Sequence, residues 1–448
     1  MYRYGANTLM DCIPNVLLES PDPLLETLFI TERFGSWRHI AIANPDTLLQ
    51  RGLDHLKGLN DKSLEARFYH AVAGYYLYQM NDVKKAVEYY ETALSSSRSI
   101  GDINRQCTTL LQMAFLKMQT GNYMEARAYS EEIQHLAKLS GNLFLEARAL
   151  QTRSTAVTAL GKYKEGLDLL CAAKELLRLC GLSQGSTFQG FMHNEATCHQ
   201  AKTEYAEALG IHQEMARKLS PAQDPQLHAY ALLNIAQIEV TIGTPECEVR
   251  QKLAKVAMVF GAINYPIGIV CCDTVEAGLE LRSGNFVEAR KLFQKCLNRT
   301  WGQYSEVVTY CLESWSSTGA VVLLAHALKT SDRPAIHKAL RYIGDIFLKQ
   351  GDEETCRSLV TAALIGFTEM DIHQSRAECM LRLGNILTRK GDVEQAVHLW
   401  RKAQPLFSRS LQVEQVAYID ALIASAERLE QICVPAGGVH AVQIPVAE

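Results

Sequence analysis

Histidine, glutamate and cysteine crowd together most closely at His193-Asn194-Glu195-Ala196-Thr197-Cys198-His199. Such side chains could hold a zinc ion or relay a proton. Two histidines on one helix chelate a metal when they stand four apart, as in H-E-x-x-H, because they then share a face. Here they stand six apart, and about 600° of helical rotation puts them on different faces. Glu132 and His135 do share a face, but a lone pair at that spacing is an ordinary surface contact. Thirteen cysteines run from Cys12 to Cys433 with no C-x-x-C among them. Cys271 and Cys272 are neighbours, which on a helix points their thiols about 100° apart. These cysteines read as small buried hydrophobes of a reducing compartment. No G-x-S-x-G elbow and no G-x-x-x-x-G-K-[ST] loop occurs. The expectation is a chain with no metal, no cofactor and no catalytic centre, which is not an enzyme.

Composition narrows the class further. The 448 residues carry a net charge of −4 and only 12 prolines. Few prolines favour helix, because proline lacks the N–H that a helix interior uses. The acidic balance and the absence of a basic cluster exclude nucleic acid as the expected partner. No apolar run reaches about 18 residues, so no membrane partner is expected. The N-terminus lacks a basic segment followed by an apolar one, and the expected location is cytoplasmic.

The elements that position these side chains show in an internal repeat. Glycine, a small polar residue, an aromatic or apolar residue, two variable residues and alanine recur as Gly121-Asn122-Tyr123…Ala126, Gly284-Asn285-Phe286…Ala289 and Gly391-Asp392-Val393…Ala396. Weaker copies place the third position at 83, 163, 205, 245 and 353. The steps are 40 to 42 residues, except one of 67 between 286 and 353. Twelve residues before the alanine lies a small residue: Gly74, Ala114, Ser154, Ala196, Ala236, Ala277, Gly344, Gly384. Four after it comes mostly a large one: Tyr90, Leu170, Phe293, Val360, Trp400. Each unit reads as helix A, a tight turn and helix B. The two small columns let the helix axes approach, and the turn glycine accepts a left-handed backbone. The bulky column fills the gap to the next unit, so stacking makes the core.

Small–x₆–Gly–[Asn/Asp]–aromatic–x₂–Ala resembles the tetratricopeptide repeat. Leu383-Gly384-x-x-Leu387-x₃-Gly391-Asp392-x₃-Ala396 is the cleanest copy, and residues 63 to 431 carry the resemblance. The standard unit is about 34 residues; these are longer. The resemblance implies an all-α fold, a right-handed α-α superhelix of about nine helix-turn-helix units. "HKALRYIGDIFLKQGDEE" and "SRAECMLRLGNIL" are also similar to the C-terminal repeat region of fungal STAND NTPases, the NB-ARC or NACHT proteins. There the repeats are the sensing part behind a nucleotide-binding domain. This chain has no such domain. The two functions implied are a protein-interaction scaffold or sensor, and a regulatory fragment of a signalling NTPase.

Residues 1–60 lack the repeat phrase and are expected to form an N-terminal helical cap, with helices over Asp22–Phe34 and Pro45–Leu56. Residues 61–431 form the array, and 432–448 a disordered tail. The 67-residue step predicts a shortened unit near 304–330: one helix over Tyr304–Trp315, a break at Ser316–Gly319, and a second over Ala320–Thr330. A last helix is expected over Gln412–Gln431.

In a right-handed superhelix helix A lines the concave face. Counting 13, 10, 6, 3 and 2 residues back from the turn glycine gives the groove. It assigns Arg148, Gln151, Thr155 and Thr158 in the third unit and His193, Thr197 and Gln200 in the fourth. Tyr230, Gln237, Thr274 and Arg282 follow in the fifth and sixth. The last two units give Lys338, Arg341, Asp345, Asn385, Thr388 and Arg389. This lining is polar and more basic than acidic. It suits an extended peptide or protein segment, whose backbone amide side chains would pair and whose carboxylates arginine would hold.

Overall fold

The computed structural model describes residues 22–36, 42, 44–80, 82–314 and 316–432. The expected tail beyond 432 lies outside them. Among the described residues the chain is all helix. Two helices come first, α1 (Pro23–Gly35) and α2 (Pro45–Leu59). Nine pairs follow: α3 (Lys62–Tyr78) with α4 (Val83–Ser99), α5 (Ile103–Gln119) with α6 (Tyr123–Leu139), and α7 (Leu143–Ala159) with α8 (Tyr163–Leu179). Next come α9 (Gly185–Ala201) with α10 (Tyr205–Lys218), α11 (Pro225–Ile242) with α12 (Glu246–Ala262), and α13 (Pro266–Arg282) with α14 (Phe286–Thr300). The last pairs are α15 (Ser305–Ser314) with α16 (Ser316–Thr330), α17 (Arg333–Lys349) with α18 (Glu353–Met370), and α19 (His373–Arg389) with α20 (Val393–Arg409); α21 (Val413–Ile432) stands alone. This is an all-α solenoid of helix-turn-helix units.

The repeat columns explain the packing. The alanines at 86, 126, 208 and 396 of the second helices are fully buried, as are Ala114, Ala196, Ala236 and Ala277 of the first helices. Tyr90, Leu170, Phe293, Val360 and Trp400 are at most 2 % exposed. In the last pair the Trp400 indole lies on the bare Cα of Gly384 and donates to Asn385 Oδ1 at 3.2 Å. Gly121, Gly161 and Gly391 have φ of 79°, 77° and 85°, the left-handed turn that lets helix B fold back. Thr203 takes the same place in the fourth pair with φ 64°.

The chain divides into two compact units, one of residues 1–117 with 124–152, the other of 118–123 with 153–448. In the first, Ile30 and Phe34 of α1 are buried with Leu64 and Phe68 of α3. Phe34 meets the rings of Phe68 and Tyr75 edge-on, with centroids 6.3 and 5.3 Å away. Gly52 of α2 lets the Phe68 ring rest against its backbone. Phe68 and Tyr75, apolar residues on the first pair, are thus occupied by packing.

In the second unit the shortened pair is α15 with α16. α15 ends at Ser314 and α16 begins at Ser316, so the Ser316–Gly319 segment expected as the break is instead the first turn of α16. Serine, threonine and glycine are poor helix interiors but good helix starts, so the helix absorbs them. Pair order is kept, and α17 and α19 are again first helices. Early turns of this unit also meet late segments. Gly161 lies against Met370 and Pro334. The carbonyl of Lys202 accepts from the His373 amide at 3.3 Å. Gln412 donates to the Thr241 carbonyl at 3.2 Å. The second unit therefore folds back on itself through contacts between residues 169 to 209 apart.

Candidate peptide-binding face

Within the second unit the A helices carry their polar side chains on one face. Glu313 of α15 pairs with Lys338 of α17 at 2.8 Å. Arg341 of α17 pairs with Glu378 of α19 at 2.7 Å, and Asp345 with Arg382 at 2.8 Å. A ladder of ion pairs therefore links consecutive A helices. Burial disfavours the Lys338 ammonium, but Glu313 more than offsets it and holds its pKa above the ordinary lysine value. Glu378 does the same for the Arg341 guanidinium, which also lies 4.6 Å over the Tyr342 ring. Arg341 Nε is buried with no partner.

Upstream on this face, Tyr310 of α15 lies beside the Gln237 side chain of α11, two pairs earlier. It can reach because Gly278 of α13 has no side chain: a Cβ there would stand 3.1 Å from the Tyr310 hydroxyl. Burial raises the Tyr310 pKa, so the phenol stays protonated. Tyr230 of α11 and Tyr265 share a hydroxyl contact of 3.2 Å.

The remaining expected groove residues are used in other ways. Arg148 donates to Gln151 at 2.6 Å in the first unit, and burial lowers its pKa. The other named residues are in the second unit. Thr155 accepts from Asn194 at 2.8 Å, and Thr158 donates to the Cys198 thiol at 3.7 Å. His193 turns toward His212 of its own pair, with ring centroids 5.6 Å apart. Thr197 and Thr388 bond back to the carbonyls of His193 and Gly384, and Thr274 to that of Cys271. Gln200 Oε1 is buried without a partner. Arg282 reaches the Val240 carbonyl in the last turn of α11 at 3.1 Å and the Thr244 carbonyl just beyond that helix at 2.5 Å, where a cation complements the helix dipole. Asn385 accepts from Trp400, and Arg389 reaches Glu353 at 3.4 Å. Of the expected residues, Gln237, Lys338, Arg341 and Asp345 therefore join one face, while His193 and Asn385 turn into their own pairs and Arg282 caps a neighbouring helix.

The acidic members of this face were not expected. Glu378 stands 13 residues before Gly391, the register that singles out Lys338, so the counting rule reaches it. Glu306, Tyr310 and Glu313 belong to the shortened pair, which has no turn glycine from which to count.

No described helix is long and apolar enough to cross a membrane. Among the described residues no group of three or more His, Cys, Asp or Glu side chains could hold a metal ion.

Comparison with known proteins bears on the fold. No curated protein sequence matches the chain significantly. Residues 66–100 match the family described as tetratricopeptide repeat. Among solved structures, the chain is similar to a Rap protein complexed with competence and sporulation factor: 14 % identity, TM-score 0.42, covering 92 % of this chain and 94 % of that one. It is similar to the apo quorum sensor NprR from B. thuringiensis: 13 %, TM-score 0.41, covering 88 % and 99 %. It is also similar to a STAND protein with a tetratricopeptide repeat sensor from Pyrococcus horikoshii: 11 %, TM-score 0.39, covering 85 % of this chain but 56 % of that one. Residues 66–100 thus match a tetratricopeptide repeat, within a chain whose described residues form an all-α array of helix-turn-helix units.

Proposed function

We propose that the chain is a protein-interaction array whose A-helix face, in the unit of residues 153–432, takes an extended peptide or protein segment. One observation carries this reading. That face holds polar groups that the fold does not need and does not fully use. Ion pairs such as Lys338–Glu313 and Arg341–Glu378 are weak contributors to stability, because desolvation offsets most of their attraction. Arg341 Nε is buried and unpartnered, which costs about 1–3 kcal/mol unless something bonds it. A peptide backbone supplies both donors and acceptors at regular spacing. The same face would serve if the array is the sensing part of a signalling NTPase, as the resemblance to STAND proteins implies.

The test is selection of random twelve-residue peptides on the immobilised protein, followed by affinity measurement on variants. Gly278→Leu puts a side chain where Tyr310 now passes, and is expected to weaken selected peptides about tenfold or more. Val287→Lys, on α14 at a residue 72 % exposed, is expected to leave them bound. The opposite pattern would move binding to the outer helices.

A further inference from the structure

The second unit folds back on itself by a rule. Turns between helix A and helix B dock on junctions between later pairs, and the series advances one pair at a time. A Cβ on Gly121 would stand 2.5 Å from Thr330 Cγ2 and 2.7 Å from Ser305 Oγ. One on Gly161 would stand 2.5 Å from Met370 Sδ and 3.4 Å from Pro334 Cδ. Thr203 Oγ1 accepts from the Gln374 amide at 2.9 Å and lies 3.4 Å from Ser410 Oγ. Docking buries the first residue of each helix B, Tyr123, Tyr163 and Tyr205. On the receiving side it buries Thr330, Met370, Ile372 and Ser410.

A later turn repeats the phrase of the first and is bare. Gly284-Asn285-Phe286 matches Gly121-Asn122-Tyr123, yet a Cβ on Gly284 would meet no described atom within 4 Å. Phe286 is 67 % and Val287 72 % exposed. The bare turns at Gly351 and Gly391 carry charge, which suits water: Asp352-Glu353-Glu354 follows the one, Asp392 and Glu394 the other. A junction of the same unit is bare and apolar too. Gly181 is left-handed at φ 73°, as Asp371 is at φ 55°. Leu182 follows Gly181 as Ile372 follows Asp371, but Ile372 is 1 % exposed and Leu182 37 %, with Leu179 close by in sequence at 67 %.

We propose that the Phe286–Val287 turn of one copy docks on the Leu179–Leu182 junction of a second copy, so that the contact made within the unit continues between molecules. A second copy is the occupant because the chain carries both halves of the contact, a turn and a junction of the kinds that already pair within it. The two halves also match in chemistry. Tyr205 donates to Gln374 at 3.0 Å in a docked turn, a polar pair. Phe286 and Val287 against Leu179 and Leu182 are an apolar set, and all four side chains gain by leaving water together. The contact is heterologous: each copy in a pair keeps one free half, so association continues past the dimer. It uses turns and junctions and leaves the A-helix face open, so it does not depend on peptide binding.

The experiment is sedimentation of the full chain at about 1 to 300 μM, the range in which a small interface associates. Wild type is expected to sediment faster as concentration rises, and to pass the dimer. Phe286→Asp and Leu179→Asp each put a carboxylate into the contact and are expected to weaken association about tenfold or more. Both residues are exposed, so both variants should melt as wild type does. Mixed in equal amounts, the two variants supply one intact turn and one intact junction. They are expected to form a dimer that grows no further. Val321→Asp, at an exposed residue of α16, should associate as wild type does. A wild type that stays monomeric throughout would overturn the inference, as would association indifferent to both variants. Loss in Phe286→Asp alone, or no dimer from the mixture, would mean that the turn meets another surface and would overturn it equally.

Discussion

Glu204 Oε1 lies 3.2 Å from His373 Nε2, 169 residues later in the chain, and both side chains are buried. The same carboxylate holds His199 at 2.7 Å, Lys202 at 2.9 Å and Arg409 at 2.9 Å. This cluster ties the turn of the fourth pair to the start of α19 and the last residue of α20. Burial opposes the Glu204 charge, but the bonds from Lys202, His199 and His373 outweigh it and bring its pKa down to about 2. Glu204→Gln removes the centre of the cluster and leaves Lys202 with only Asp371, 3.4 Å away. The expected loss is about 3–5 kcal/mol, read by urea unfolding. Because the folded pKa is depressed, the Glu204 contribution is present above the unfolded value of 4.5 and lost as pH falls toward about 2. A Glu204→Gln protein as stable as wild type at pH 7 would show that the cluster does not hold the turns together.

His212 gives a second pH dependence. It is fully buried, and neither ring nitrogen has a partner. Burial, with a smaller push from His193, lowers its pKa to about 3; burial lowers that of His193 to about 4. Both folded values lie below the ordinary 6.5. Unfolded chain therefore binds the proton first, and stability falls as pH drops below 6.5, by about 1.4 kcal/mol per pH unit for each histidine. His212→Phe is expected to melt higher than wild type at pH 7 and to lose less between pH 7 and 5. Parallel curves of melting temperature against pH would contradict this.

Lys338 and Glu313 test the ladder. Lys338→Met alone strands Glu313 and is expected to cost about 1.5–3 kcal/mol. Lys338→Met with Glu313→Leu removes both charges and should recover most of that loss. A double variant no better than the single would mean that the pair contributes stability in its own right.

Gly384→Ala puts a methyl group into the Trp400 indole. The expected cost is about 1–3 kcal/mol, with loss of the Trp400–Asn385 bond seen as a red shift in tryptophan fluorescence. An unchanged melt would show that the close approach of α19 and α20 is not required.

These tests separate what the sequence makes legible from what it hides. The contact of Gly384 with Trp400 is legible because it joins residues 16 apart within one repeat, and the same columns recur along the array. Buried alanines, bulky fillers and turn glycines are short-range features, and repetition amplifies them. The face is legible in position but not in charge. Lys338 and Arg341 stand where the register puts them, but their partners Glu313 and Glu378 sit on neighbouring units, 25 and 37 residues away. Those pairings depend on how units stack. His193 and Asn385 turn into their own pairs because the B-helix residues that meet them, His212 and Trp400, set their direction. The Glu204 cluster is invisible to any repeat phrase, because it forms only when the solenoid of the second unit closes on itself.

The most direct measurement places a photo-crosslinking residue at Gln237, on the A-helix face, or at Val287, on α14, and illuminates each protein with its best selected peptide. The account predicts an adduct from position 237 and none from 287. An adduct from 287 alone would put the bound segment on the outer helices and contradict it.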